Sequence, residues 1–161
     1  LDKEFFHSFF HQAINMPRTV GFLKPDYDEK YQHYIKEKSY EEIISSIEEN
    51  FQYPLIIKRN RGSQGTHVFK VNDKNALLSS ITNVFNINSN NFDYVALAQD
   101  YIEIKTEYRA IYLNGSLIFI YEKNIENAIY DSSNLNRLHW DGAKAILVKD
   151  VSLSSNIVLS R

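Results

Sequence analysis

Asn114-Gly115 stands between two runs rich in apolar residues, EYRAIYL (107–113) and SLIFIYEK (116–123). An Asn-Gly pair in that setting is the strongest short hairpin signal, because the two residues tolerate the positive φ of a two-residue turn. This part of the chain is thereby committed to antiparallel strands. A two-residue turn pairs Leu113 with Ser116 and, further out, Glu107 with Glu122. Paired residues share a face, so Glu107, Arg109, Ile111, Ile118, Ile120 and Glu122 are expected on one side. KAILV (144–148) reads as one more strand.

Upstream, the periods alternate between helix and strand. DKEFFHSFFHQAI (2–14) places Phe5, Phe6, Phe9, Phe10, Ala13 and Ile14 on one helical face, with Asp2 as N-cap and Pro17 just past the end. Thr19 to Leu23 is a short strand. Residues 24–38 are polar and tyrosine-rich and read as a loop or a weak helix. Ser39 and Glu42 have capping-box spacing ahead of Tyr40, Ile43, Ile44, Ile47 and Phe51, which predicts a helix. Pro54 opens a strand, PLIIK, and HVFKV (67–71) gives another. Asp73 caps a helix with Ala76, Leu77, Leu78, Ile81, Val84 and Phe85 on one face. NINSNN (86–91) is a loop by composition, and YVALAQ (94–99) a buried strand. There is no internal repeat. The order helix-strand-helix-strand-strand-helix-strand-hairpin implies an α+β fold, with helices on one side of antiparallel sheets.

Several function classes drop out on composition. A formal net charge of -2 over 161 residues gives no basic excess for nucleic acid. No apolar stretch approaches the length of a membrane span, and LDKEFF lacks the pattern of a signal peptide. The absence of cysteine removes disulfides and Cys-ligated metals, and leaves a cytoplasmic location as the default. His7 and His11 have the i, i+4 spacing of a zinc pair, but no HExxH glutamate accompanies them. Their interleaving with four phenylalanines places them by preference on the polar side of an amphipathic helix. No GxSxG or Cys/His arrangement occurs.

The chain has only five glycines, and two of them fall three positions apart in KRNRGSQGTHVF (58–69). A strand ending in Lys58, a loop with Gly62, Ser63, Gln64 and Gly65, and a second strand form a hairpin cap that can fold over a ligand. Glycine lets backbone N–H groups approach phosphate oxygens with no Cβ in the way. Lys58 would add a fixed positive charge. The pattern is not Walker A, because the lysine precedes the glycines. By spacing alone it fits a surface turn as well as a phosphate cradle.

PLIIKRNRGSQGTHVF resembles the second lysine strand and glycine-rich loop of the ATP-grasp superfamily. It is most similar to the ribosomal-protein-modification type of glutamate ligase. His67 departs from that pattern, which usually has glycine there; the resemblance leaves it as a stiffer loop position or an added phosphate donor, against the more common case of an exposed loop histidine. AQDYIEIKTEYRAIYLNGSLIFIYEK resembles the linker strand and following hairpin of the same family. That likeness implies that Gln99, Asp100, Tyr101 and Ile102 read adenine, largely through main-chain groups. It implies that Glu107 holds the ribose hydroxyls, that Lys123 lies near the phosphates, and that Arg109 and Lys123 are the catalytic residues directed towards the acylphosphate; by the residues alone a cross-strand ion pair fits as well. LDKEFFHSFFHQAINMPRTV is similar to the opening helix of the family, with Lys3 as its first nucleotide-contacting lysine. NRLHWDGAKAILV has a looser likeness to a segment near the acceptor site. That makes His139, Trp140 and Asp141 candidates there, against a buried tryptophan beside a satisfied histidine.

The resemblance implies two small lobes, each an antiparallel sheet packed by helices, with a nucleotide site between them. Residues 1–95 would form the N-terminal subdomain and 96–161 the start of the C-terminal one. It implies ATP as substrate, a small carboxylate and amine or a peptide as partners, and ligation through an acylphosphate. A small-molecule kinase or a non-catalytic binding module are the alternatives. The family holds Mg²⁺ with a late strand Asp and a Glu-x-Asn. Asp150 is the one acid in the last twenty residues, so those ligands are expected beyond Arg161. The start at Leu1 and the end at Ser160-Arg161 read as a piece of a longer protein, inactive by itself.

Overall fold

The computed structural model describes residues 2–62, 65–131 and 135–148. It divides into two compact units. The first takes the described residues up to Gly62 and from His67 to Ile102; the second takes 65–66 and those from Glu103 onward. Residues 96–102 therefore lie in the first unit.

The first unit runs α1 (Lys3–Phe10), β1 (Thr19–Leu23), a 3-10 turn (Glu29–Tyr34), α2 (Tyr40–Asn50), β2 (Leu55–Arg59), β3 (Val68–Val71), α3 (Lys74–Val84) and β4 (Val95–Asp100). The strands form one sheet in the order β1-β4-β2-β3. Every pairing in it is antiparallel. Capping sets the helix starts. Asp2, Ser39 and Asp73 each accept from the N–H three residues on, satisfying donors that a first turn leaves open. Glu42 reaches back to the N–H of Lys38 at 2.6 Å, one residue earlier than a regular capping box requires.

One sheet face carries the core. Leu55 and Ile57 of β2, Val71 of β3, Ala96 and Ala98 of β4 and Phe22 of β1 pack with Ile43, Ile44 and Ile47 of α2 and Leu77, Ile81 and Val84 of α3. Leu78, assigned from its spacing to the same apolar face, is instead 44% exposed. The 3.6-residue period carries it a further 100° around α3 from Leu77. The opposite face receives α1. A Cβ on Gly21 would lie 2.8 Å from Glu4 Cγ, so the bare glycine permits this close approach.

Helix α1 departs from its sequence reading in two ways. It stops at Phe10, and the N–H of Ala13 turns back to the carbonyl of Phe10 in a tighter i−3 turn. Of its four phenylalanines only Phe6 is partly covered. Phe5 and Phe9 are exposed, and no residue of the helix is fully buried. Phe5 packs against Phe9 and Phe6 against Phe10 with tilted rings, at centroid distances of 4.5 and 4.8 Å. These are i, i+4 contacts within the helix itself.

The second unit contains β5 (Tyr108–Leu113), β6 (Ser116–Asn124), a 3-10 turn (Arg137–His139) and β7 (Lys144–Val148), in a three-stranded antiparallel sheet. Leu113 pairs with Ser116 as the turn requires. Ile118 is then an extra residue, and beyond it Ile111 faces Phe119 and Tyr108 faces Glu122. The expected pairing of Glu107 with Glu122 is thus shifted by one, and Ile118, Ile120 and Glu122 leave the Glu107 face. A β-bulge of this kind carries no sequence signature. Its physical advantage is plain, since the regular register sets two carboxylates opposite each other. No helix of the described residues is long and apolar enough to cross a membrane.

Leu77 is fully buried, whereas its neighbour Leu78 is not. Leu77→Ala is expected to cost about 2–5 kcal/mol in urea unfolding, and Leu78→Ala no more than about 0.5 kcal/mol. Equal losses would contradict this placement of α3.

Candidate functional site

Strand alternation delivers three polar side chains to the sheet face opposite the core. Ile57 and Ala98 pair on the core side, so Lys58 and Gln99 project from the other side, as does Thr19, which pairs with Gln99. Lys58 and Gln99 are diagonal neighbours across β2 and β4, within reach of long side chains. Lys58 Nζ donates to Gln99 Oε1 at 2.8 Å. Gln99 Nε2 donates to Thr19 Oγ1 at 2.8 Å. The Thr19 hydroxyl donates to the carbonyl of Pro17 at 3.1 Å. Together with Lys3, Phe6 and His7 of α1 and Met16, these three side chains line a small cavity.

Lys58 is 6% exposed. Burial first, and the nearby charge of Lys3 second, bring its ammonium down to about 8. His7 is also held below the usual histidine range, by burial first and then by His11. The His7 and His11 rings stack at 5.2 Å. Among the described residues no group of three or more His, Asp or Glu could hold a metal ion. His7 lines the cavity, so it is not on a solvated polar side as its spacing implied.

Lys3 is placed beside the stem of the glycine loop. Its Nζ donates to the carbonyls of Asn60 at 2.7 Å and Gly62 at 3.0 Å, with Arg59 O at 3.5 Å. Asn60, itself buried, returns the contact: its Oδ1 accepts from the N–H groups of Lys3 and Glu4, both at 2.9 Å. Asp93, also buried, accepts from Arg61 N at 2.6 Å and Val95 N at 3.2 Å. Gly62 and Gly65 have φ of 131° and 72°, in the region that favours glycine. Ser63 and Gln64 lie outside the described residues. His67 also has positive φ, at 55°. Its Nδ1 is buried with no hydrogen-bond partner. Burial, then Arg59, hold its imidazole below the ordinary value.

The segment expected to read adenine continues from the same strand. Asp100 N donates to Arg18 O at 3.1 Å, and its carboxylate lies 3.3 Å from the Arg18 guanidinium. Tyr101 and Ile102 follow the end of β4, and the Lys70 ammonium sits 4.0 Å from the centre of the Tyr101 ring.

In the second unit the bulge brings Glu107 opposite Lys123. The N–H of Lys123 donates to Glu107 O at 2.8 Å, and the buried Lys123 Nζ donates to the Glu107 carboxylate and, at 3.3 Å, to Asn136 Oδ1. Arg109 faces Tyr121 on the same side and is exposed. Trp140 meets Tyr130 edge-to-face at 5.1 Å. Asp141 contributes its carbonyl to Ile129 N at 2.7 Å, and His139 is exposed.

Sequence reasoning named the lysines and the glycines but missed Thr19, Asn60 and Asp93. Each acts through a hydrogen bond across at least thirty residues, which no local period can show. Asp93 had one faint signal, as the acid between a polar loop and an apolar strand.

The sequence profile of the RimK-like ATP-grasp domain matches residues 29–144. Among solved structures, the chain is similar to the VanG D-Ala:D-Ser ligase of Enterococcus faecalis, with a TM-score of 0.55 and 23% identity over 76% of this chain and 32% of that one. It is similar to the D-alanine–D-alanine ligase of Bacillus anthracis, with a TM-score of 0.55 and 20% identity over 91% of this chain and 40% of that one. For the D-alanine–D-alanine ligase of Helicobacter pylori the TM-score is 0.50 and the identity 13%, over 99% of this chain and 40% of that one. These likenesses are of fold. The chain spans 32–40% of the length of these three proteins. No curated protein matches it in sequence.

The ammonium of Lys58 is depressed from 10.5 to about 8 in the folded protein. Between those values the unfolded chain binds more protons, so this group's contribution to stability rises with pH. The difference amounts to about 3 kcal/mol. Lys58→Met lacks it. Urea unfolding is therefore expected to favour the variant at pH 7, with the wild type gaining on it from pH 8 to 10. Parallel stability curves would contradict a buried, charge-strained Lys58.

Proposed function

The chain belongs to the RimK-like ATP-grasp family, and on that footing we propose that it is the ATP-binding part of a carboxylate–amine ligase. The observation that carries this reading is the convergence of Lys3 and Lys58 on one cavity beside the stem of a glycine-containing loop. Two cations and left-handed glycines suit a polyphosphate.

In the proposed reaction a carboxylate oxygen of the substrate attacks the γ-phosphorus of ATP and ADP leaves. The acylphosphate formed is attacked at its carbonyl carbon by an amine, and inorganic phosphate leaves as the amide forms. The task of these residues is charge neutralisation and positioning. Lys58 and Lys3 serve the phosphates, with backbone N–H groups of the 62–65 loop. Gln99, Asp100, Tyr101 and Ile102 flank the adenine, and Tyr101 and Ile102, past the strand end, offer the main-chain groups. Glu107 takes the ribose hydroxyls. Arg109 and Lys123 are directed towards the acylphosphate, and the contact of Lys123 with Glu107 and Asn136 supports it also as the group that orients the Glu107 carboxylate. Residues up to the end of β4 would act as the N-terminal subdomain, and those after it as the start of the C-terminal one. The family implies Mg²⁺ with the nucleotide. The described residues do not fit a magnesium site, so its ligands are proposed to lie elsewhere and no step is assigned to it. A cytoplasmic setting and a small or peptide acceptor complete the proposal.

Thermal unfolding of the intact protein with Mg-ATP tests it. Nucleotide at a hundredfold excess over Kd stabilises by about 2.7 kcal/mol, or roughly 5–10 °C. Lys58→Ala is expected to abolish most of that shift. No shift in the parent protein, or an equal shift in the variant, would sink the nucleotide site. Binding without amide formation would favour a non-catalytic module, and a stable phosphorylated product a small-molecule kinase.

A further inference from the structure

The face of the first sheet that bears Lys58 holds a continuous donor–acceptor chain whose direction is fixed from one end. The Thr19 hydroxyl is directed to Pro17 O at 3.1 Å, which leaves its lone pairs for Gln99 Nε2 at 2.8 Å. That in turn fixes which end of the Gln99 amide meets Lys58, and Oε1 accepts from Nζ at 2.8 Å. All three side chains line the same cavity. We propose that Thr19 and Gln99 are positioning residues, which hold the Lys58 ammonium by this chain where an anionic ligand in the cavity meets it. The proposal rests on the nucleotide reading for the identity of the ligand. The chain itself is a property of the unliganded protein.

The physical argument concerns an amide that can present either end. A glutamine free to turn by 180° about its last torsion offers Lys58 an NH₂ group as readily as an oxygen. A donor facing a buried ammonium adds repulsion to its desolvation. Thr19 removes that choice, because an oxygen already donating its proton to a carbonyl can only accept from the amide. The other charged or titratable groups around the cavity come from α1. These are Lys3, whose charge opposes that of Lys58, and His7, which burial disfavours in its charged form. From β1 and β4 the cavity receives the neutral Thr19 and Gln99. Gln99 thus supplies a neutral oxygen without neutralising the lysine. A carboxylate at this position would cancel the charge that a phosphate needs. Thr19 lies ahead of the residues matched by the family profile, 29–144, so the chain joins a strand outside that match to the lysine within it.

Three variants of the intact protein test this, by Mg-ATP titration calorimetry across pH 6.5–9 and by NMR titration of the Lys58 side chain without ligand. Thr19→Val removes the hydroxyl at constant shape. It is expected to weaken ATP binding about tenfold and to move the Lys58 titration further down, with Thr19→Ser restoring both. Gln99→Glu is expected to raise the Lys58 titration towards the ordinary lysine range and to weaken ATP binding. In a Lys58→Ala background Thr19→Val should have no further effect on affinity. An unchanged Lys58 titration in both Thr19→Val and Gln99→Glu would overturn the proposal. So would an undiminished Thr19→Val effect in the Lys58→Ala background, which marks a merely structural role. If the parent protein binds no ATP, the nucleotide reading fails, and the ligand-free NMR titration still decides whether the chain holds Lys58.

Discussion

The pairing of β4 with β1 on one edge and β2 on the other is the contact on which the first unit depends. β4 comes last of the four strands in sequence yet lies inside the sheet. Its register with both neighbours determines every inward and outward side chain at once. Ala96 and Ala98 turn to the helices, where small side chains let Ile57 and Phe22 meet α2 and α3. Gln99 turns to the other side, between Thr19 and Lys58. A slip of one residue would bury Gln99 in the core and turn Ala98 towards the lysine. Core and polar cluster are therefore two readings of one hydrogen-bond ladder, and the hydrophobic burial of one face specifies the chemistry of the other.

The local signals in the sequence were reliable wherever a local cause produced the structure. Asp2, Ser39 and Asp73 cap their helices because a short side-chain oxygen just ahead of a helix is placed to accept from an open N–H group of the first turn. Asn114-Gly115 turns because both residues accept a positive φ, here 51° and 79°. The failures have a different source. The stripe of phenylalanines on α1 has a helical period, but the helix meets the sheet on its Lys3, Phe6 and His7 side. Periodicity tells which residues share a face; it does not tell which face finds a partner. Leu78 illustrates the converse, an apolar residue beside the seam and outside it.

The candidate site was legible in its charges and illegible in its supports. Lys58 and the glycines stand out because a lysine precedes two glycines set three positions apart in a chain with only five. Thr19, Asn60 and Asp93 are ordinary polar residues whose importance comes from what tertiary structure places against them. The hairpin shows the same limit in another form. A regular two-residue turn leads to Glu107 against Glu122, and the extra residue at Ile118 replaces that repulsion with Glu107 against Lys123. Electrostatics favoured the bulge, but nothing in the local pattern marked where the extra residue would go.

The fastening of α1 has a dynamic consequence. The helix buries no residue completely, yet at its first turn Asn60 accepts from two of its N–H groups while Lys3 grips the carbonyls of the loop stem. One end is pinned by five hydrogen bonds, and the other carries exposed rings. Such an element opens at low free energy from its free end, and the pinned end lets go last. Fraying that begins near His11 can therefore run towards Lys3 and reach the glycine loop as a loss of its anchor. Amide hydrogen exchange along α1 and at residues 60–62 would then rise and fall together, two segments far apart in sequence behaving as one opening unit.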